Sequence, residues 1–139
     1  MQNTWVETMN TIHVSGSRKT ACARATLMPG NGVVRINTLL LDFVRPQMYC
    51  DKIREPLLLA GEVAKKVDIN VKTRGGGQAG QAEAARLAIA RALSIFDNTL
   101  KPVFLAYDRL LLVADVRRKE TRKPNCHGKA RAKRQKSYR

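Results

Sequence analysis

VDINVKTRGGGQAGQAEAARLAIARALSIF, residues 67–96, sets the architecture of this chain. Val67, Ile69, Val71 and Thr73 alternate with Asp68, Asn70, Lys72 and Arg74, so one side is apolar and the other polar, turning basic at its end. A period of two predicts a half-buried strand. Arg74-Gly75-Gly76-Gly77 ends it, and a long helix is predicted from about Gln78 to Phe96. Its apolar stripe is Ala82, Ala85, Ile89, Leu93 and Phe96, at three- and four-residue steps. Glu83 and Arg86 fall on the other side, and the many alanines favour helix and allow close packing on a sheet.

Shorter elements precede this unit. Ile12 and Val14 alternate with polar neighbours, a short strand. Ala21, Ala23, Ala25 and Leu27 alternate likewise, Pro29-Gly30-Asn31-Gly32 supplies strong turn residues, and Val33 to Ile36 resumes the pattern. Residues 21–36 are therefore predicted as a β-hairpin with a four-residue turn. Pro56 is predicted at the first position of a helix through Leu57, Leu58, Ala60 and Val63, with Gly61 inside it.

The glycine loop, Arg74 to Gln81, joins a strand to a helix N-terminus. Glycines permit positive φ and close backbone approach, and unpaired N–H groups at a helix start favour an anion. Lys72 and Arg74 add charge beside it. The alternative is a turn that only packs helix on sheet. The lysine–serine or lysine–threonine pair of a nucleotide-binding P-loop is missing, and the glycine spacing does not fit the dinucleotide fingerprint.

Charge narrows the function classes. Across 139 residues, 26 Lys and Arg face 11 Asp and Glu, a net +15. Self-repulsion on that scale calls for a polyanion, either nucleic acid or an anionic membrane surface. Beyond Arg117 the only acid is Glu120 and the only large apolar residue is Tyr138. Such a segment cannot bury enough apolar surface to offset its ordering entropy, so an extended tail is expected, spanning at most roughly 75–85 Å.

The remaining classes are easier to set aside. The longest apolar runs, Leu39–Leu41, Leu57–Ala60 and Leu110–Ala114, are far shorter than the roughly 18 residues of a spanning helix. Residues 1–10 resemble neither a secretory signal nor a mitochondrial presequence. Cys22, Cys50 and Cys126 are odd in number and far apart, which fits reduced thiols in an intracellular compartment. With His13 and His127 they form no spaced zinc motif. Neither a metal, a cofactor nor a catalytic base is expected, and the chain reads as no enzyme.

Residues 74–93, RGGGQAGQAEAARLAIARAL, resemble the signature of the universal small-subunit ribosomal protein S-nine family, called S-sixteen in eukaryotes. Gly75, Gly76, Gly77, Gly80, Gln81, Ala84, Arg91 and Leu93 match it. Ser17-Arg18-Lys19-Thr20-Ala21, Gly30-Asn31-Gly32 and Ile36-Asn37 look like further family segments. Tyr107-Asp108-Arg109, Leu111 to Asp115, and Gln135-Lys136-Ser137-Tyr138-Arg139 look like its eukaryotic and archaeal version. The departures are Ser17 before the basic pair, Val116 in place of a usual proline, the tail segment Lys123 to Lys129, and Met1–Asn10 with Trp5; together they suggest a divergent eukaryotic lineage.

The resemblance implies an α+β fold, a small sheet with two helices on one face, like the second domain of ribosomal protein S-five. Some small-molecule kinases share that fold, a kinship of fold alone. It implies three parts: an N-terminal extension (1–10), an RNA-binding body (11–115) and a basic tail (116–139). The body would meet ribosomal RNA in the subunit head through Arg18, Lys19, Lys72, Arg74, Gly75, Gly76, Gly77, Gln81 and Arg109. Arg117, Arg118, Lys119, Lys123, Arg131, Lys133 and Arg134 of the tail would neutralise its phosphates. Gln135, Lys136, Tyr138 and Arg139 would reach peptidyl-site tRNA. Neighbouring ribosomal proteins are implied as partners, with no membrane, no small-molecule substrate, and a place on cytoplasmic ribosomes. A free RNA-binding or chaperone module outside the ribosome is the second reading, and an enzyme using the glycine loop on a nucleotide the third.

Overall fold

The computed structural model describes residues 11–126 and 128–131. The N-terminal extension and the expected contacts at Lys133, Arg134, Gln135, Lys136, Tyr138 and Arg139 lie outside them. Strands β1 (Ile12–Arg18), β2 (Ala21–Pro29), β3 (Val34–Ile36) and β4 (Leu39–Leu40) come first. Helix α1 (Gln47–Ala60), strand β5 (Val67–Arg74), and helices α2 (Gln78–Phe96) and α3 (Leu100–Tyr107) follow. The five strands form one sheet in the order β1-β2-β5-β3-β4, with β5 parallel to β3 and every other pair antiparallel. The fold is α+β.

The alternation read in β5 holds. Val67, Ile69, Val71 and Thr73 are buried, as are Ala21, Ala23, Ala25 and Leu27 of β2. Together with β1, these two rows make the floor on which α2 lies. Helix α2 is buried well beyond one stripe, because α1 packs beside it and the sheet lies under it. Ala84, Ala88, Ala90 and Ala92 are fully buried, whereas Phe96, at the end of the expected stripe, is partly exposed. A Cβ on Gly16 of β1 would stand 2.6 Å from the Ala84 carbonyl oxygen. Strand and helix backbones are therefore in near contact, which only glycine opposite alanine permits.

Three expectations are corrected. Residues 21–36 are not a hairpin, because β5 runs between β2 and β3. The hairpin is β1–β2, closed at Lys19-Thr20 with Lys19 at φ 53°. The 29–33 segment carries the chain past β5 and is tied to it: the Asn31 and Val33 N–H groups donate to Asp68 Oδ1 at 2.8 and 2.9 Å. A side chain on Gly30 would collide with the Asp68 carboxylate.

Pro56 does not start α1 but sits inside it. The helix begins at Gln47, and Pro56 removes one backbone N–H from a face that buries Cys50, Ile53 and Ala60. Gly61 terminates the helix at φ 54° instead of continuing it, and residues 61–66 tighten into a 3-10 turn. A further helix, α3, packs its buried Leu100 and Phe104 against α1 and α2, in keeping with the expected α+β fold.

Candidate nucleic-acid interface

The glycine loop is shaped by packing. Gly75 and Gly76 have φ of 74° and 63°, in the left-handed region. A Cβ on Gly75 would stand 2.6 Å from the Thr20 carbonyl oxygen, and one on Gly76 2.9 Å from the Ala21 Cβ. The loop is thus pressed onto the β1–β2 turn. Gly77 differs, with nothing within 4 Å of its Cβ position. It precedes α2, whose first turn has no side-chain cap. Lys19 borders the resulting cleft of about 280 Å³, with Gly76, Gly77, Ala79 and Gly80.

Gln81 is engaged inside the protein. Its Nε2 donates to the Gly75 carbonyl and its Oε1 accepts from Thr73 Oγ1, both at 3.1 Å. Asn37 completes this brace: its Nδ2 donates to Thr73 Oγ1 and its Oδ1 accepts from the Thr73 N–H, both at 2.8 Å. Gln81 positions the loop through both its side-chain oxygen and its amide.

Arg18 is likewise turned inward. Its guanidinium pairs with Glu83 at 2.7 Å and with Asp115, and only 18% of its side chain is exposed. Asp115 also binds Arg117, through the guanidinium at 2.6 Å and the backbone N–H at 2.9 Å. Those Arg117 bonds, with Arg18 adding its charge, hold the Asp115 carboxyl well below the usual carboxylate range. This cluster pins the root of the tail to β1 and α2. Arg91 secures the segment just before it, donating to the carbonyls of Leu112 and Ser15, both at 2.9 Å. Arg86 bridges Glu55 and Asp108 beside them.

The sheet side away from the helices is open and basic. Register places its side chains in rows: His13, Thr26, Asn70 and Arg35 in one, Ser15, Arg24 and Lys72 in the next, Ser17, Cys22 and Arg74 in a third. Lys72 and Arg74 were expected here, but Arg24 and Arg35 were not. The signal for Arg24 was its place between buried Ala23 and Ala25; for Arg35 it was a place between Val34 and Ile36. Asp68 points the same way at the strand's start, but its carboxylate is held by backbone N–H groups, which lower its pKa.

Of the other expected contacts, Arg109 is exposed at the start of a 3-10 turn. Residues 116–126 are without helix or strand. Arg118, Lys119 and Lys123 are exposed and have no ion pair among the described residues. The tail is not fully extended, however. Arg131 pairs with Glu120 at 2.6 Å, and the Lys123 N–H donates to the Lys129 carbonyl at 3.2 Å, so the chain doubles back. Every described Asp and Glu side chain holds a partner of its own.

Among the described residues no cluster could hold a metal ion, and no helix is long and apolar enough to cross a membrane. Burial pushes the Cys50 thiol pKa up, and its Sγ donates to the Leu41 carbonyl, so it is no activated nucleophile.

A packed glycine loop, an open cationic sheet face and a pinned basic tail define the class: a strongly basic α+β domain. Residues 16–139 match the family described as ribosomal protein S9/S16. The chain is 46% identical over 134 residues to the small ribosomal subunit protein uS9 of Methanococcus vannielii, covering 94% of this chain and all of the relative. The corresponding protein of Methanococcus maripaludis is 45% identical over the same extent. The chain belongs to the ribosomal protein S9/S16 family, and it is a ribosomal protein and not an enzyme.

Proposed function

We propose that this chain is a structural constituent of the small ribosomal subunit on cytoplasmic ribosomes. Its body binds ribosomal RNA in the subunit head beside neighbouring proteins, and its tail crosses RNA to reach peptidyl-site tRNA. The observation that carries this reading is the tail root. Asp115 is fixed by Arg18 and Arg117, and from there Arg118, Lys119, Arg122 and Lys123 emerge exposed and unneutralised. A pinned origin with free cations directs the chain along a polyanion, where phosphate contacts fix position and carry little sequence information. Shape and backbone contacts suit folded RNA.

At the far end, the guanidinium fork of Arg139 matches a phosphate, and Tyr138 can stack on a base or donate to a phosphate. Gln135 and Lys136 stand just behind them. Deleting Tyr138 and Arg139 tests this. Small subunits carrying the truncated chain should assemble normally and release peptidyl-site tRNA faster. Unchanged tRNA dissociation from such subunits would remove the tail end from that site.

A further inference from the structure

We infer that the open face of the sheet is a docking surface for A-form double-stranded RNA, and that it, not the tail, makes the protein prefer RNA over DNA. The inference deepens the ribosomal reading and rests on it. Three strands contribute: Arg24 from β2, Lys72 and Arg74 from β5, and Arg35 from β3 are all exposed, and none has an ion pair among the described residues, Arg35 only adding its charge beside Asp68. Arg24 and Lys72 are direct cross-strand partners. Such partners stand about 4.5–5.5 Å apart, and Lys72 and Arg74 about 7 Å along the strand. Two like charges held that close oppose folding unless an anion sits over them. The cations are thus spaced to meet successive phosphates of one strand.

Between them lies a shallow groove of about 450 Å³, lined by His13, Ser15, Arg24, Thr26, Asn70 and Lys72. Hydroxyl, amide and imidazole groups line it beside Val14 and Ala25, and His13 Nδ1 lies 3.0 Å from Thr26 Oγ1, which fixes both side chains. Groups that donate and accept at the foot of a cationic wall suit the 2′-hydroxyls of a wide, shallow RNA minor groove. The three rows carry no Phe, Tyr or Trp. Unstacked bases would find no platform there, which favours duplex over single strand.

The test uses the full chain, an RNA duplex of about 16 base pairs, the DNA duplex of the same sequence, and the single RNA strand. R24Q/K72Q is compared with a charge-matched tail variant, K119Q/K123Q. The wild-type chain should prefer the RNA duplex. R24Q/K72Q should lose roughly 10- to 50-fold in RNA duplex affinity at moderate salt, reduce the salt slope by about two, and lose the preference for RNA over DNA. K119Q/K123Q should lose a similar slope and keep the preference.

Retention of RNA preference by R24Q/K72Q would overturn the assignment, as would tighter binding of wild type to the single strand. Both substituted residues are exposed, and a thermal midpoint for R24Q/K72Q no lower than wild type excludes unfolding as the cause. The ribosomal reading fails separately. A subunit that keeps the wild-type chain in high salt, while R24Q/K72Q binds the duplex like wild type, overturns the sheet-face assignment alone.

Discussion

Arg24 on β2 and Lys72 on β5 face each other across the sheet on its exposed side, and no described carboxylate neutralises either. Directly opposed like charges are destabilising by roughly 0.2–1 kcal/mol. Arg24→Gln should therefore raise the stability of the isolated protein by that order. Thermal unfolding in low-salt buffer reads it as an upward shift of the midpoint by about 1–6 °C. The gain should shrink as salt screens the wild-type repulsion. A lowered midpoint would mean that Arg24 has a stabilising partner in the free protein.

Gly75 and Gly77 are two residues apart and should respond oppositely to alanine. Gly75 has φ 74° and no room for a Cβ beside the Thr20 carbonyl, whereas Gly77 has φ −101° and open space. Gly75→Ala should cost about 1–3 kcal/mol through backbone strain. Gly77→Ala should lie within about 0.5 kcal/mol of wild type. Denaturant midpoints measure both. Equal losses would mean that the loop is not held against the β1–β2 turn as described.

Asp115 is the acid on which the tail root depends. Its pKa in the folded protein lies well below the ordinary 3.8, through Arg117 first and Arg18 after it. A lowered folded value means that its contribution is present above the unfolded pKa and disappears as pH falls through the folded one. Asp115→Asn should thus loosen the tail root at neutral pH and match wild type in strong acid. Trypsin cleavage within residues 116–126 reads the difference, and the mutant should be cut faster at pH 7. Identical cleavage rates would show that the Arg18–Asp115 contact does not restrain the tail.

Much of the fold was legible in local pattern. The alternation of residues 67–74 and the helix after three glycines reported directly on β5 and α2, because the period of two and the alanine-rich run are local signals that packing then reinforced. Pairing was not legible. β2 and β3 look like a hairpin in sequence, yet Asp68 and the 29–33 segment guide β5 between them, a long-range contact that no local window contains. Pro56 misled for a related reason. Packing of Cys50 and Ile53 holds α1 helical through the proline, so the tertiary contact outweighs the local preference.

The interface was legible in part. Lys72 and Arg74 could be placed on the polar side of one strand. Arg24 and Arg35 acquire meaning only through the register that aligns them with β5. Conversely, Arg18 and Gln81 look like surface ligands in sequence, since nothing local reveals Glu83, Asp115 or Thr73 as their partners. Charge density announced a polyanion, but which cations remain unpaired depends on the folded positions of the acids.

The central claim, that this chain is built into the small ribosomal subunit, is tested most directly by sucrose-gradient sedimentation of a lysate in high salt, with the chain followed by mass spectrometry. Phosphate-dominated affinity for a loosely bound protein falls steeply with salt. A chain folded into the subunit should stay with the small subunit and with assembled ribosomes. Recovery at the top of the gradient, or release into it by salt, would contradict the claim and leave a free RNA-binding protein in its place.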